Sequence, residues 1–398
     1  MSELKEKPAQ QELDEHFLKC YSDFSYYAKH NLKIKTKKGQ LVYLELNEVQ
    51  QLLEEIENDI TSNNRLIRLY VLKARQFGIS TKTTGKFFWK VTTNKNRSAV
   101  IVTHEPPATR NLFDMQKRFY KNLDTEFKPA SKYNNVKVLQ FDTDDATGLD
   151  SSIGVATAGV KDFGSSQTIN YLHISELSKW PRENESDLLT SLFQCVPREL
   201  DSMVIIESTA KGIGGEFYRG YWAARYNYEI YLKDGKPTWK IEINERADPT
   251  NNYSSVFIPW FVFSEYEMEP PANFTRTIEE EQMATKYGLT DRKLYFYRSI
   301  LANECKGNKN TRSQEYPTTA KEAFIGSGSP AFDLERVVEL RSKCPEPIKR
   351  FNFMYATGTL LENSEGQILV WELPKSGRPY VISADIAEGL AHGDFNSC

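Results

Sequence analysis

Residues 67–81 read IRLYVLKARQFGIST. The run Ile67, Leu69, Tyr70, Val71, Leu72 is nearly continuous and apolar, the pattern of a strand buried on both faces. A turn bearing Gly78 follows, and TKTTGKFFWKVTT (81–93) has helical character. Strand, glycine turn and helix in that order form the unit that cradles phosphates. Laid on G-x-x-x-x-G-K-[ST], the stretch from Lys73 to Ser80 puts Gly78 on the second glycine and Ser80 on the hydroxyl. Ile79 stands where the lysine belongs, and Lys73 where the first glycine belongs. The chemistry needs a turn exposing backbone N–H groups, a cation for the β- and γ-phosphates and a hydroxyl for Mg²⁺. Gln76, Gly78 and Ile79 lie in that turn, Ser80 or Thr81 supplies the hydroxyl, and Lys73 reaches across the loop from the strand end. On these residues alone, a basic strand-to-helix turn without nucleotide fits as well. Arg75 reads either as an arginine finger acting within the subunit or as a salt-bridged loop residue.

Further apolar runs lie outward from this stretch. SAVIVTHE (98–105), TINYLHISE (168–176) and DSMVIIEST (201–209) are strand-like, and ATRNLFDMQKRFYKNL (108–123) between the first two is amphipathic. Buried strands alternating with helices predict a parallel sheet with crossover helices. The 168–176 strand ends in Ser175-Glu176 where nucleotide motors carry Asp-Glu. A carboxylate there can orient and partly deprotonate the water that attacks the γ-phosphate, so Glu176 is the candidate base. Ser175 can hold a Mg²⁺-bound water but brings no charge. His173 reads as a packed, hydrogen-bonded histidine. Ser208 and Thr209 end the next strand, where small hydroxyl side chains can sense the γ-phosphate.

The rest of the chain sets bounds. Its 398 residues suffice for two or three domains, and its formal charge of −3 excludes a general polyanion sponge. Any DNA contact must be local, and the lysines and arginines of 86–97, 117–137 and 306–312 form no clear stripe. Five scattered cysteines without a CxxC argue against a disulfide framework or a zinc site. The charged start has no signal-peptide core, and no run approaches a membrane span, so a soluble intracellular protein is expected. Residues up to Glu12 read as a frayed polar leader, and NEVQQLLEEIENDI (47–60) as a helix. After Tyr226 the character changes: a hairpin at 233–249, a short strand in VFIPWFVF (256–263), a charged helix over 275–305 and a linker at GSGSPA (326–331). GTLLENSEGQILVWEL (358–373) predicts a second hairpin, and a strand begins at Tyr380.

Taken in order, these segments resemble the large terminase family of tailed phages. LNEVQQLL resembles that family's adenine-reading motif, LKARQFGIST its deviant phosphate loop with the lysine at the loop's start, and LHISELSKW its variant acidic strand. IESTAKG resembles its coupling motif. FIPWF and QEYPTTAKEAFIGSG (314–328) resemble the blocks leading to the nuclease, and YVISADIAEGLAHGDFNS (380–397) the nuclease's first strand. The resemblance covers about Asn47 to the end and rests on order and spacing. One departure is that VKDFGSSQ (160–167) lacks an arginine often found there.

The resemblance implies an α/β chain: a P-loop NTPase-type parallel sheet with flanking helices, then an incomplete ribonuclease-H-like domain. Residues 1–225 would be the ATPase core, 226–330 a lid subdomain and linker, and 331–398 the start of the nuclease. It carries over Gln50 as a base contact, ATP and Mg²⁺ as ligands, and Asp385 and Asp394 as nuclease ligands of Mg²⁺ or Mn²⁺. One hairpin and one strand do not close such a nuclease, so this chain alone is not expected to cut DNA. The implied partners are double-stranded viral DNA, a portal protein, a small terminase subunit and further copies in a ring, with no membrane. The implied place is the cytoplasm of an infected bacterium, transiently at the procapsid portal. A helicase-like ATPase shares the motor strands but leaves the 314–328 block unexplained. Ile79 and Ser175 also admit a degenerate, non-hydrolysing scaffold.

Overall fold

All seven residues of the 67–73 run are buried, and the run is an interior strand of a large sheet. The computed structural model describes residues 6–134, 137–143, 148–159, 168–325, 340, 343–354, 357–364 and 366–381. It divides into two units, Met1–Gly328 and Ser329–Cys398.

The first unit opens with α1 (Glu6–Ser22), α2 (Phe24–Asn31), the ribbon β1 (Lys33–Lys35) and β2 (Leu41–Tyr43), and α3 (Glu48–Ser62). Strands and helices of the large sheet follow: β3 (Ile67–Lys73), α4 (Ile79–Thr93), β4 (Ser98–Thr103), α5 (Pro106–Asn122), β5 (Tyr133–Asn134), β6 (Val138–Phe141), β7 (Ser151–Thr157), β8 (Tyr171–Ser175), α6 (Glu185–Gln194), β9 (Met203–Ser208) and α7 (Gly215–Ala223). Then come β10 (Tyr226–Lys233), β11 (Lys236–Ile243), β12 (Ser254–Ile258), α8 (Ile278–Tyr287), α9 (Asp291–Asn303), α10 (Lys309–Glu315) and α11 (Ala320–Ile325).

The sheet order is β11-β10-β12-β3-β9-β8-β4-β7-β6-β5. The strands from β10 through β7 run parallel, and antiparallel strands close both edges. After β3 the chain skips two places to β4, and β8 and β9 later fill the gap. The loops leaving β3, β8 and β9 therefore meet at the carboxyl end of the sheet, where open α/β sheets bind ligands. Alternation within β3 feeds two cores. Leu69 and Val71 pack with Ile56, Phe87 and Phe88 on one face, and Tyr70 and Leu72 with Leu189, Leu192, Phe217 and Tyr221 on the other.

Several expectations change in three dimensions. The polar leader is helical from Glu6, as α1. Residues 226–258, set apart in sequence by their change of character, supply β10 to β12 of the same sheet, and β12 pairs directly with β3. The helix expected over 275–305 is two helices, α8 and α9, because Gly288 caps the first in the left-handed region at φ 67°. In the second unit, β13 (Lys349–Met354), β14 (Thr359–Glu362) and β15 (Ile368–Val370) form a sheet ordered β14-β13-β15. The two arms of the expected 358–373 hairpin thus flank β13 instead of pairing with each other. β13 faces Leu360 of β14 with Phe353 and Ile368 of β15 with Phe351, cross-strand pairs of large apolar side chains.

Basic residues that looked like solvated faces are partly interior. Lys86 sits between Glu54 Oε1 and Glu57 Oε2, both at 2.6 Å, and the fully buried Lys82 meets the same two carboxylates. This four-charge lattice locks α4 to α3. Burial pushes the Glu54 carboxyl up, and the two ammonium groups outweigh it and hold it at about 2. Arg68, the charged residue inside β3, is satisfied by the Pro197 and Ser202 carbonyls at 2.9 and 3.1 Å.

Candidate nucleotide site

The loop between β3 and α4 turns through two left-handed residues, Gln76 at φ 62° and Gly78 at φ 71°. Gly78 is the N-cap of α4, so the first free N–H groups of the helix and its positive dipole end face the turn. Helix α3 braces the loop. The Asn47 side-chain amide donates to the Phe77 carbonyl at 3.2 Å, and Gln50 Nε2 donates to the Gly78 carbonyl at 2.7 Å. Gln50 Oε1 accepts from the Asn47 N–H at 3.0 Å, closing a capping box. Gln50, the residue expected at a base, is thus buried and fastened to the loop with both ends of its amide engaged.

A Cβ added at Gly78 would lie 2.6 Å from Gln50 Nε2, and the backbone there is left-handed. We predict that Gly78→Ala destabilises the chain by about 1–3 kcal/mol through strain and displacement of Gln50. If the loop holds ATP, as the sequence leads one to expect, the same change should weaken that binding at least several-fold. Thermal melting and calorimetry check both; a variant with parental melting and affinity would show that the loop's fit does not matter.

Lys73 leaves β3 pointing into a carboxylate pair. Its Nζ is 3.0 Å from Glu176 Oε1 and 3.1 Å from Glu207 Oε2. Burial pulls the ammonium down, and the two carboxylates, Glu207 first, outweigh it and keep Lys73 charged. Glu176 sits in the left-handed region at φ 54° just past β8. Such strain in a non-glycine residue persists where the surroundings over-determine it, commonly at functional sites. Its N–H donates to the Glu207 carbonyl at 2.7 Å, and its Oε2 takes Lys179 at 2.9 Å and the Thr209 hydroxyl at 3.3 Å. Burial raises the Glu176 carboxyl, and Lys73 and Lys179 bring it below the ordinary range. The side chain is therefore ionised at neutral pH.

The end of β9 and the residue after it touch this group directly. Thr209 holds the Glu176 carboxylate, and Ser208 Oγ accepts the Ser178 N–H at 3.2 Å. Ser80 Oγ, on the first turn of α4, donates to Glu207 Oε1, as does Ser175 Oγ at 3.0 Å. His173 is fully buried with Nε2 3.3 Å from the same oxygen. Ile79 is buried at the start of α4, and Thr81 is half-buried one residue past Ser80.

Arg75 is turned to the 314–328 block. Its guanidinium is held by both Glu315 oxygens, its N–H donates to the Glu315 carbonyl at 3.2 Å, and its own carbonyl accepts the Tyr266 hydroxyl. Gln314 Nε2 reaches the Ala210 carbonyl of the coupling segment at 3.2 Å. Lys37, from the β1–β2 turn, donates to Gln76 Oε1 at 2.8 Å. The block thus bridges the phosphate loop and the strand that follows the acidic one.

Lys73, Ser80, Ser175, Glu176, Ser208 and Thr209 come together at one end of three neighbouring strands. Asp385, Asp394 and the 160–167 stretch lie outside the described residues. Glu207 was missed. The signal for it was a charged residue inside the apolar run VIIE, which strand reading passed over as a strand end.

No known family's sequence profile matches the chain, and no curated protein matches it. Among solved structures it is similar to the large terminase ATPase domain of Thermus phage P74-26, at 14% identity over 63% of this chain and 87% of that one, with a TM-score of 0.41. It is also similar to the HK97 bacteriophage large terminase, at 10% identity over 84% of this chain and 62% of that one, with a TM-score of 0.46. The large terminase from the thermophilic bacteriophage D6E gives 9% identity over 74% and 97%, with a TM-score of 0.35.

Proposed function

We propose that this chain is the motor of a tailed-phage large terminase, hydrolysing ATP to move double-stranded viral DNA into a procapsid. The observation that carries the reading is the Lys73–Glu176–Thr209 chain of contacts. It joins the phosphate loop, the acidic strand end and the coupling segment, the same three blocks whose order in the sequence suggested the family. In this reading the loop N–H groups and Lys73 bind the phosphates, and Gln50 shapes the loop against the base. Glu176 orients and deprotonates the attacking water. Thr209 sits on the base, so loss of the γ-phosphate, felt by Glu176, passes into β9 and the 314–328 block.

The hydroxyls of Ser80 and Ser175, hard oxygen donors on a buried carboxylate, fit Mg²⁺, which neutralises charge on the β- and γ-oxygens when bound. Metal-dependent DNA cleavage belongs in this reading to a complete nuclease domain, of which the segment with Asp385 and Asp394 would be only the start. A portal protein, a small terminase subunit and a ring of copies are the partners, in the host cytoplasm and transiently at the procapsid.

The test is phosphate release from Mg²⁺·ATP by the purified chain, alone and with linear duplex DNA. Hydrolysis that duplex DNA accelerates is expected. ATP binding without hydrolysis in either condition would favour the scaffold reading. Acceleration by single strands alone would favour a helicase-like enzyme.

A further inference from the structure

The end of β8 lacks a charge that its chemistry needs. Phosphate-loop enzymes hold their metal between the loop hydroxyl and an aspartate on a neighbouring strand, and here that strand ends in Ser175. The next strand makes up the deficit. Glu207 of β9 is the register partner of Ser175 on β8 and of Val71 on β3, so it stands level with the last residue of β8 and two residues before the end of β3. Its side chain is completely buried. Oε1 collects the Ser80 and Ser175 hydroxyls, with Ser175 at 3.0 Å and His173 Nε2 at 3.3 Å, while Oε2 faces Lys73 at 3.1 Å.

A counter-ion for Lys73 has no need of two serine hydroxyls, and Glu176, which also takes Lys179, shares that ammonium. A carboxylate beside the loop hydroxyl is, by contrast, the arrangement that holds a hard divalent cation. Glutamate is one methylene longer than aspartate, which helps it reach from the adjacent strand toward Ser80 across an inter-strand spacing of about 4.8 Å.

We propose that Glu207 supplies, from β9, the metal-side carboxylate that Ser175 lacks, acting with the Ser80 hydroxyl on the Mg²⁺ of the bound nucleotide. Ser175 then orients Glu207, a positioning role. The inference rests on the ATP-site reading above and reassigns the charge within it.

The experiment is calorimetry of ADP binding to the full chain, in Mg²⁺ and in EDTA, with circular dichroism to confirm folding. The parent should bind ADP more tightly with Mg²⁺ than without. Glu207→Gln should lose about 10–100-fold of that magnesium-dependent gain, the range seen when a metal site's supporting groups are removed. Its binding in EDTA should change little. Should Glu207→Gln not fold, Glu207→Asp keeps the charge for Lys73 but withdraws the carboxylate, and it should show the same selective loss. Adding Ser175→Asp to Glu207→Gln should restore part of the gain.

An unchanged magnesium-dependent gain in both Glu207 variants would overturn the proposal. So would an equal loss in Mg²⁺ and EDTA, which is the mark of a mere partner for Lys73. A parent that binds no ADP in either condition would instead remove the ATP-site reading itself.

Discussion

If the chain is the ATPase proposed above, replacing Lys73 with alanine is expected to lower ATP hydrolysis by at least about 10²–10³-fold and to destabilise the fold by about 3–5 kcal/mol. The half-buried Glu176 and the fully buried Glu207 share its ammonium. Without it Glu207 loses its ammonium partner while Glu176 is left with Lys179, and removing one partner of a buried ion pair costs far more than the pair contributes. The pH dependence has a definite sign. In the parent both carboxyls are held below their ordinary values. Their contribution is thus present above the unfolded pKa, about 4.3, and lost as pH falls. In Lys73→Ala the first lowering influence on each is gone, so both are expected to rise, with the deficit greatest at neutral pH and narrowing as acid neutralises them. Melting curves at pH 7 and near pH 5, with phosphate release at pH 7, check the prediction. A variant that melts and hydrolyses like the parent at pH 7 would remove Lys73 from the site.

The second large effect separates binding from chemistry. Glu176→Gln keeps the shape of the side chain and its hydrogen bond from Thr209, but it cannot take a proton from water. Hydrolysis should fall by about 10²–10⁴-fold, the usual worth of a positioned general base. ATP affinity should stay within a few-fold of the parent, because Lys73 keeps Glu207 as a partner. Single-turnover phosphate release beside calorimetric ATP titration measures both. Parental hydrolysis in this variant would move the base elsewhere.

Much of the architecture was legible because it arises from local physics. The 67–81 stretch declares strand, turn and helix by apolar run, glycine and periodicity, and the structure forms all three there. The helix from Asn47 is equally local, since Asn47 and Gln50 make its capping box. The chain beyond Tyr226 was less legible. Whether β10 and β12 close a lid or extend the main sheet depends on long-range pairing that no local pattern encodes. The 358–373 stretch shows the same limit: a polar tetrapeptide between apolar arms suggests a hairpin, yet both arms found β13.

The site divides along the same line. The sequence by itself determined which groups stand at strand ends: Lys73 closing β3, Ser175 and Glu176 closing β8, Ser208 and Thr209 after VIIE. Strand ends are set by where an apolar run stops, and that is a local property. Only the tertiary structure decided that β9 inserts between β3 and β8. The insertion sets Glu207 level with Ser175, hands Lys73 two carboxylates instead of one, and places Thr209 on the base. Arg75 likewise looked free to act at phosphates, and the fold gives it Glu315, 240 residues away in sequence. Charge partners across a sheet are fixed by strand order and register. Those are chosen by the burial of whole faces, a global balance that no single segment carries.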